Sequence, residues 1–82
     1  PRYGPMPAVL TLIQRDDCQL CDKALAVLAH ARTPEPEALY IDDDVGLEDR
    51  YGTRVPVLRD ATGRELDWPF DAARVTAWLR VP

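Results

Sequence analysis

The feature that most restricts the fold is a change of hydrophobic period early in the chain. Residues 8–13 form a nearly continuous apolar run rich in β-formers, which predicts a strand buried on both faces. From Leu20 the apolar residues recur with helical spacing, which predicts a helix from about Cys18 to about Arg32 that following prolines end. Residues 38–41 are a second short apolar run and predict a second buried strand. Together these segments predict a βαβ unit with two parallel strands.

Three consecutive aspartates, at positions 42–44, follow the second predicted strand. Carboxylates at such a place accept hydrogen bonds from free backbone N–H groups and favour the positive end of a helix, so we interpret them as a loop and helix cap. A metal site is the alternative interpretation. The predicted helix should end at Tyr51, with Leu47 on the same face, and Gly52 suits the position after its C-terminal end.

Residues 55–67 predict a β-hairpin. Residues 55–59 are typical of a strand that starts at a proline. Residues 60–63 are typical of a hairpin loop whose glycine takes a left-handed conformation. Asp71 is then expected to cap a last helix. The element order β-α-β-α-β-β-α predicts an α/β fold with a mixed four-stranded sheet and helices on both faces. The inner face of the last helix is predicted to hold Ala72, Val75, Trp78 and Leu79.

Length and composition limit the domain organisation. Residues 1–7 contain three prolines and one glycine, and we expect a loose tail there. Residues 8–82 are expected to form a single domain, because 82 residues are too few for two. The chain has neither an apolar run of about 18 residues nor a recognisable secretory signal. We therefore expect no membrane association and a cytoplasmic location.

The charge balance argues against a nucleic-acid partner. Ten Lys and Arg residues stand against fourteen Asp and Glu residues, for a net charge of -4. Binding through phosphate contacts needs a basic face, which this composition does not favour.

The two cysteines, Cys18 and Cys21, carry the clearest chemical signal. They lie where the first predicted strand gives way to the first helix. A thiol at a helix N-terminus meets unpaired N–H groups and a positive partial charge, and both favour the thiolate, which is the nucleophile of disulfide exchange. Cys21 follows by almost one turn and should lie deeper. We expect Cys18 to attack a disulfide and Cys21 to resolve the mixed disulfide.

Acidic neighbours should moderate this effect. Asp16, Asp17 and Asp22 lie close to Cys18 in sequence and disfavour a thiolate, whereas Arg15 and Lys23 favour it. We therefore expect a pKa of the Cys18 thiol only slightly below that of a free cysteine.

Three other interpretations of the cysteine pair are open at this point. A zinc site needs four ligands, and the chain offers only Cys18, Cys21 and His30, which lies nine residues after Cys21. A structural disulfide would close a very short loop and stabilise the fold little. Two incidental buried thiols are the third interpretation. His30 itself is expected at the surface near the end of the helix.

The element order, the Cys-x-x-Cys after the first strand and the Val55–Pro56 that opens the third strand resemble the thioredoxin fold and, within it, the small glutaredoxin-like proteins. The resemblance covers residues 8–80. It implies a cis bond before Pro56, although propensity alone favours trans. It also implies that Pro56 packs beside the cysteines and that the backbone of Val55 pairs with a bound peptide or glutathione as an added strand.

The chain also departs from that family's usual pattern. Gln19 and Leu20 replace the usual Pro-Tyr between the cysteines, and residues 67–71 replace the usual Gly-Gly pair and aspartate before the last helix. Asp71 is a candidate for that aspartate's part in substrate binding, with a plain helix cap as the alternative. Trp68 and Phe70 are candidates for lining the groove beside the cysteines, and the alternative is that they are ordinary core or edge residues.

The function predicted from these observations is thiol–disulfide oxidoreduction of glutaredoxin-like type, through Cys18 and Cys21, in cell redox homeostasis. The alternative is a non-catalytic thioredoxin-like module that senses redox state or binds a protein. We expect no metal and no bound cofactor, with glutathione as a candidate co-substrate. The expected partner of this monomer is a disulfide-containing protein or glutathione.

Overall fold

The computed structural model describes residues 9–80, so the predicted tail at residues 1–7 lies outside the described residues. The elements follow the predicted β-α-β-α-β-β-α order: β1 (Leu10–Gln14), α1 (Gln19–His30), β2 (Glu37–Tyr40), α2 (Val45–Tyr51), β3 (Val57–Asp60), β4 (Glu65–Asp67) and α3 (Ala72–Arg80).

The four strands form one mixed sheet in the order β2-β1-β3-β4. β1 pairs in parallel with β2 and antiparallel with β3, and β4 pairs antiparallel with β3. The parallel pair and the antiparallel hairpin thus share a sheet, as predicted, and the arrangement is that of a thioredoxin-like fold.

Two apolar clusters, one on each face of the sheet, form the core. The alternation of side chains along a strand separates them, because successive residues point to opposite faces. The larger cluster joins the sheet to α1 and α3 and contains Leu10, Leu12, Ala24, Leu28, Leu58, Leu66, Phe70, Val75 and Trp78. The smaller cluster joins the sheet to α2 and contains Ile13, Ile41, Tyr51 and Val57.

Side-chain caps begin the two shorter helices. A carboxylate oxygen of Asp44 accepts from the backbone N–H of Leu47 at 3.0 Å and begins α2. A carboxylate oxygen of Asp71 accepts from the backbone N–H of Arg74 at 2.8 Å and begins α3. Both aspartates therefore satisfy N–H groups that a helix leaves free at its start, as predicted.

The β3–β4 hairpin closes on one acidic side chain. Asp60 accepts from the backbone N–H groups of Thr62 and Arg64, at 2.9 Å and 3.0 Å, and from Nε of Arg64 at 2.8 Å. Gly63 has a φ of 92°, the left-handed conformation expected for this loop.

The prediction that the second strand is buried is wrong. β2 is the edge strand of the sheet, and three of its four residues are exposed, including Tyr40 at 50%. Only Leu39 packs against the smaller cluster, and the buried Ile41 follows the strand. An edge strand lacks a neighbour on one side, so an apolar run alone does not ensure its burial.

Gly52 also has a different role from the one expected. Its φ of -53° is right-handed, so no left-handed conformation requires glycine there. Glycine is required there because the backbone approaches closely: an added Cβ would lie 2.5 Å from the carbonyl oxygen of Glu48.

None of the helices that residues 9–80 form has the length and apolar character needed to cross a lipid bilayer.

Candidate functional site

The cysteines and the Val55–Pro56 bond lie at the same edge of the sheet. Cys18 follows the C-terminal end of β1, and Pro56 precedes the N-terminal end of β3. These two strands are antiparallel neighbours in which Ile13 pairs with Val57, so the end of one strand meets the start of the other. The register thus brings two of the predicted site segments to one edge, although they are more than thirty residues apart in sequence.

Cys18 is the N-cap residue of α1. Its backbone is extended, with φ -122° and ψ 109°, and its Sγ accepts from the backbone N–H of Cys21 at 3.1 Å. The sulfur therefore occupies the position that a capping oxygen takes in other helices. A donor N–H and the positive helix end both stabilise negative charge on this sulfur in the reduced form.

The two sulfurs lie at disulfide-bonding distance, and the Cα atoms are 5.2 Å apart. Cys18 is partly exposed, whereas Cys21 is 1% exposed. This confirms the predicted difference in depth: a reagent from solvent reaches Cys18 first, and Cys21 lies behind it.

The loop before Cys18 is attached to the opposite layer of the protein. Asp17 has a φ of 56°, so the chain turns sharply just before Cys18. The guanidinium of Arg15 donates to Glu48 of α2 and to the carbonyl of Gly52 at 3.1 Å. The backbone N–H of Asp16 donates to the carboxylate of Asp42 at 2.9 Å. These bonds fix the segment that leads into α1.

The Val55–Pro56 bond is cis, as the family resemblance implied. Pro56 is buried, and its carbonyl accepts from the backbone N–H of Trp68 at 3.2 Å. The backbone N–H of Val55 donates to the carbonyl of Tyr51 at 3.0 Å. Of the two backbone groups that Val55 could offer to an added strand, the N–H already has a partner.

An ion-pair network holds Arg54, the residue before Val55. Nε and Nη2 of Arg54 donate to the two carboxylate oxygens of Asp67, at 3.1 Å and 2.8 Å, and Nη2 also donates to Glu65 at 2.8 Å. The hydrogen bonds from Arg54 lower the pKa of the Asp67 carboxyl. Partial burial raises the pKa of Glu65, but hydrogen bonds from Tyr51 and Arg54 outweigh it and lower that pKa.

Trp68 and Phe70 are mainly core residues. Phe70 is 6% exposed, and Trp68 is partly buried against the same cluster, with the ring centroids 5.0 Å apart in an edge-to-face arrangement. A second cis bond, between Trp68 and Pro69, was not predicted from the sequence. A shallow cavity of about 400 Å³ lies beside these residues and is lined by Pro69, Phe70, Asp71 and Arg74.

His30 lies away from the cysteines, exposed in the last turn of α1. Within residues 9–80, no three His, Cys, Asp or Glu side chains are grouped so that they could hold a metal ion.

The contacts of Arg54 and Asp42 in this region were not predicted, and for Arg15 only the effect of its charge was. For Arg54 a usable signal was present, because Glu65 and Asp67 lie two residues apart on the second strand of the predicted hairpin and therefore share one face. The contact between Asp16 and Asp42 had no such signal in the sequence, because it joins two loops that only the parallel pairing of β1 and β2 brings together.

Comparison with known proteins places this geometry in a family. Residues 9–80 match the model of the glutaredoxin-like domain (DUF836). The X-ray structure of protein XcR50 from X. campestris is 61% identical, covers 90% of this chain and 99% of its own, and superposes with a TM-score of 0.87. Its solution structure, also 61% identical, covers 90% of this chain and 95% of its own, with a TM-score of 0.84.

A more distant structure has the same fold. The solution structure of protein Ne2328 from Nitrosomonas europaea is 28% identical, covers 95% of this chain and 98% of its own, and has a TM-score of 0.78. No curated protein sequence matches the chain.

Proposed function

Since the chain belongs to the glutaredoxin-like domain family, we propose that it is a thiol–disulfide oxidoreductase that works through Cys18 and Cys21. The observation that carries this proposal is the unequal exposure of two sulfurs at bonding distance on the first turn of one helix. The outer sulfur also accepts a backbone N–H, which favours its thiolate form.

The proposed reaction starts from the dithiol form. The Cys18 thiolate attacks one sulfur of a substrate disulfide, forms a mixed disulfide and releases the first substrate thiolate, which takes up a proton. The Cys21 thiolate, formed by loss of its proton, then attacks Sγ of Cys18 and releases the second substrate thiolate. Two electrons pass to the substrate, which leaves as two thiols, and the Cys18–Cys21 disulfide remains.

Substrate binding is proposed at Val55, Pro56 and Asp71. The carbonyl of Val55 is an acceptor at the sheet edge that Cys18 shares, and Asp71 lines the cavity next to Phe70. A disulfide-containing protein or glutathione is the proposed substrate, and the reducing cytoplasm is the proposed setting, where thiol couples of this kind cycle. Asp71 also caps α3, so its substitution affects stability as well as binding.

Two cysteine variants test the order of attack. Cys21→Ser, incubated with oxidised glutathione, should retain one glutathione on Cys18, because the resolving thiol is absent. Cys18→Ser should remain unmodified, because Cys21 is buried. Mass spectrometry of the intact proteins measures both. A glutathionylated Cys18→Ser protein beside an unmodified Cys21→Ser protein would reverse the proposed roles.

A coupled assay separates catalysis from a redox-sensing module. Wild-type protein is assayed with 2-hydroxyethyl disulfide and either glutathione with glutathione reductase or thioredoxin reductase alone. Multiple turnovers that Cys18→Ser abolishes are expected. Oxidation and reduction of the pair without turnover in either assay would instead favour a module that only senses redox state.

A further inference from the structure

The three helices that residues 9–80 form all begin at the edge of the sheet where Cys18 lies. α1 and α2 follow the parallel strands β1 and β2, and α3 follows β4, which runs in the same direction as β1. The loops at this edge and the first turn of α1 contain a large share of the chain's carboxylates. We call six of them the acidic rim: Asp16, Asp17, Asp22, Asp42, Asp43 and Asp44.

A hydrogen bond joins the two halves of the acidic rim. The backbone N–H of Asp16 donates to the carboxylate of Asp42 at 2.9 Å, so the loop with the three consecutive aspartates lies against the segment that leads into Cys18. Five of the six rim residues are exposed, and Asp42 is partly buried. A molecule that approaches the Cys18 sulfur therefore passes exposed carboxylates from two loops and the first turn of α1.

The nearby arginines do little to offset this charge, because other carboxylates bind them. Arg15 pairs with Glu48 at 2.6 Å, and Arg54 pairs with Asp67 and Glu65, both at 2.8 Å. Within the part of the chain that the structure describes, Lys23 and Arg74 are the cationic side chains near these helix starts that form no ion pair. The six rim carboxylates thus exceed the free cations.

Two backbone N–H groups of the site are occupied as well. The N–H of Val55 donates to the carbonyl of Tyr51 at 3.0 Å, and the N–H of Cys21 donates to Sγ of Cys18 at 3.1 Å. No N–H of residues 9–80 donates to the carbonyl of Val55. Independently of the side-chain charges, the carbonyl of Val55 is thus an available acceptor at this edge, whereas the N–H groups of Val55 and Cys21 are occupied.

A cavity next to the rim fits the same kind of ligand. It has a volume of about 250 Å³ and is lined by Asp43, Asp44, Val45, Glu48 and Asp49. Glu48 already pairs with Arg15, so Asp43, Asp44 and Asp49 are the carboxylates available to a ligand there. Val45 is 79% exposed and provides an apolar wall. A lysine or arginine side chain combines an apolar stem with a charged, donor-rich end, which suits a cavity of this composition.

We propose that the Cys18–Cys21 site is selective for disulfides on cationic partners, namely a basic protein segment with lysine or arginine near its cystine, over anionic disulfides such as oxidised glutathione. This inference rests on the proposed function. Carboxylates around the reacting sulfur raise the local concentration of cationic substrates and lower that of anionic ones. The exchange is the one described above, in which the substrate disulfide is reduced to two thiols and the dithiol is oxidised.

Three small disulfides of different charge test the proposal. Reduced protein, freed of reductant, is mixed with cystamine, 2-hydroxyethyl disulfide or 3,3′-dithiodipropionate, which are cationic, neutral and anionic. For each disulfide, the rate of its reduction by the protein is divided by the rate of its reduction by dithiothreitol, a neutral thiol. This division removes differences in the intrinsic reactivity of the disulfides. The corrected rate for cystamine should exceed that for dithiodipropionate at least about tenfold at low ionic strength. Salt at about 1 M should reduce this ratio, because charges are then screened beyond a few ångströms.

A matched pair of double variants assigns the effect to the rim. Asp16→Asn with Asp17→Asn removes two rim charges, and asparagine tolerates the positive φ at residue 17. Glu35→Gln with Glu37→Gln also removes two negative charges, from two exposed residues. Glu37 is the first residue of β2 and Glu35 precedes it, so both lie at the end of the sheet opposite Cys18. The first pair should reduce the ratio of corrected rates about threefold or more, and the second should leave it nearly unchanged.

Equal corrected rates for the cationic and anionic disulfides would overturn this inference while leaving the proposed function intact. An equal reduction of the ratio by both double variants would also overturn it, because net charge and not the rim would then be responsible. If the protein reacts with none of the three disulfides faster than dithiothreitol does, the proposed function fails and the inference fails with it.

Discussion

The guanidinium of Arg15 donates to both carboxylate oxygens of Glu48, at 2.9 Å and 2.6 Å. Arg15 lies three residues before Cys18, so this ion pair ties the approach to the candidate nucleophile to α2. The bonds from Arg15 lower the pKa of the Glu48 carboxyl. At neutral pH, Glu48 thus neutralises the positive charge of a side chain that lies three residues before the candidate nucleophile.

Two substitutions in this ion pair should change the reactivity of Cys18 in opposite directions. Glu48→Gln leaves the charge of Arg15 without a partner and should speed alkylation of Cys18 by iodoacetamide, whereas Arg15→Gln should slow it. A single charge near the thiol should change the rate about twofold either way at low ionic strength. The rates are measured at pH 7 in a Cys21→Ser background. If the pair only supports the loop, both substitutions will change the rate in the same direction.

The β3–β4 hairpin should depend on the ionised form of Asp60. Partial burial raises the pKa of this carboxyl, but hydrogen bonds from Thr62 and Arg64 outweigh it, so that the pKa is about 2. A folded-state pKa below the unfolded value contributes stability above the unfolded pKa, and this stability is lost as the pH falls from about 4 to about 2.

Asp60→Asn should therefore lower the free energy of unfolding by about 1–2 kcal/mol at pH 7 and by less at pH 2. Urea unfolding at the two pH values measures the difference. Asp49→Asn, at an exposed aspartate of α2, is the control and should change stability little at either pH. An equal loss for Asp60→Asn at both pH values would mean that its ionised form does not stabilise the hairpin.

Burial at the centre of the sheet should dominate stability. Leu58 is 0% exposed on β3 and pairs in register with Leu12 and Leu66, which lie on the same face. Leu58→Ala should lower the free energy of unfolding by about 3 kcal/mol, because the removed methyl groups leave a cavity. Val45→Ala, at a residue that is 79% exposed, should change it by less than about 0.5 kcal/mol. Similar losses in both variants by urea unfolding would contradict this view of the core.

The order of elements was predictable because it follows from local periodicity. The apolar run before Gln14, the helical spacing after Leu20 and the glycine at position 63 each determine their own segment. Burial of β2 was not predictable in this way. Tyr40 and Ala38 belong to an apolar run, but their exposure depends on the place of the strand at the edge of the sheet.

The candidate site was predictable to the extent that it is local. Cys18 and Cys21 are one turn apart, so their difference in depth follows from helix geometry, and the cis bond before Pro56 followed from the family resemblance. The Arg15–Glu48 pair joins residues 33 positions apart, and no local pattern selects that partner over the other carboxylates. Long-range contacts of this kind depend on how the layers pack.

The hydroxyl of Tyr51 should stabilise the fold through the ionised form of Glu65. Tyr51 is 0% exposed and donates to Glu65, and Nη1 of Arg59 donates to the same hydroxyl at 3.3 Å. Burial raises the pKa of Glu65, but the bonds from Tyr51 and Arg54 outweigh it and bring the pKa below its ordinary value of 4.5. Glu65 therefore contributes stability above that pH, which is lost as the pH falls through the lowered pKa.

Tyr51→Phe should lower the free energy of unfolding by about 1–2 kcal/mol at pH 7, because it removes a hydrogen bond to a charged and partly buried carboxylate. The loss should shrink at a pH below the lowered pKa of Glu65, where protonation of the carboxylate weakens the bond in the wild type. Urea unfolding of both proteins at the two pH values measures this, with Tyr40→Phe as the control at a half-exposed tyrosine. A loss of the same size at both pH values would show that the hydroxyl acts independently of the charge on Glu65, and the ionised carboxylate would then have no part in holding α2 against β4.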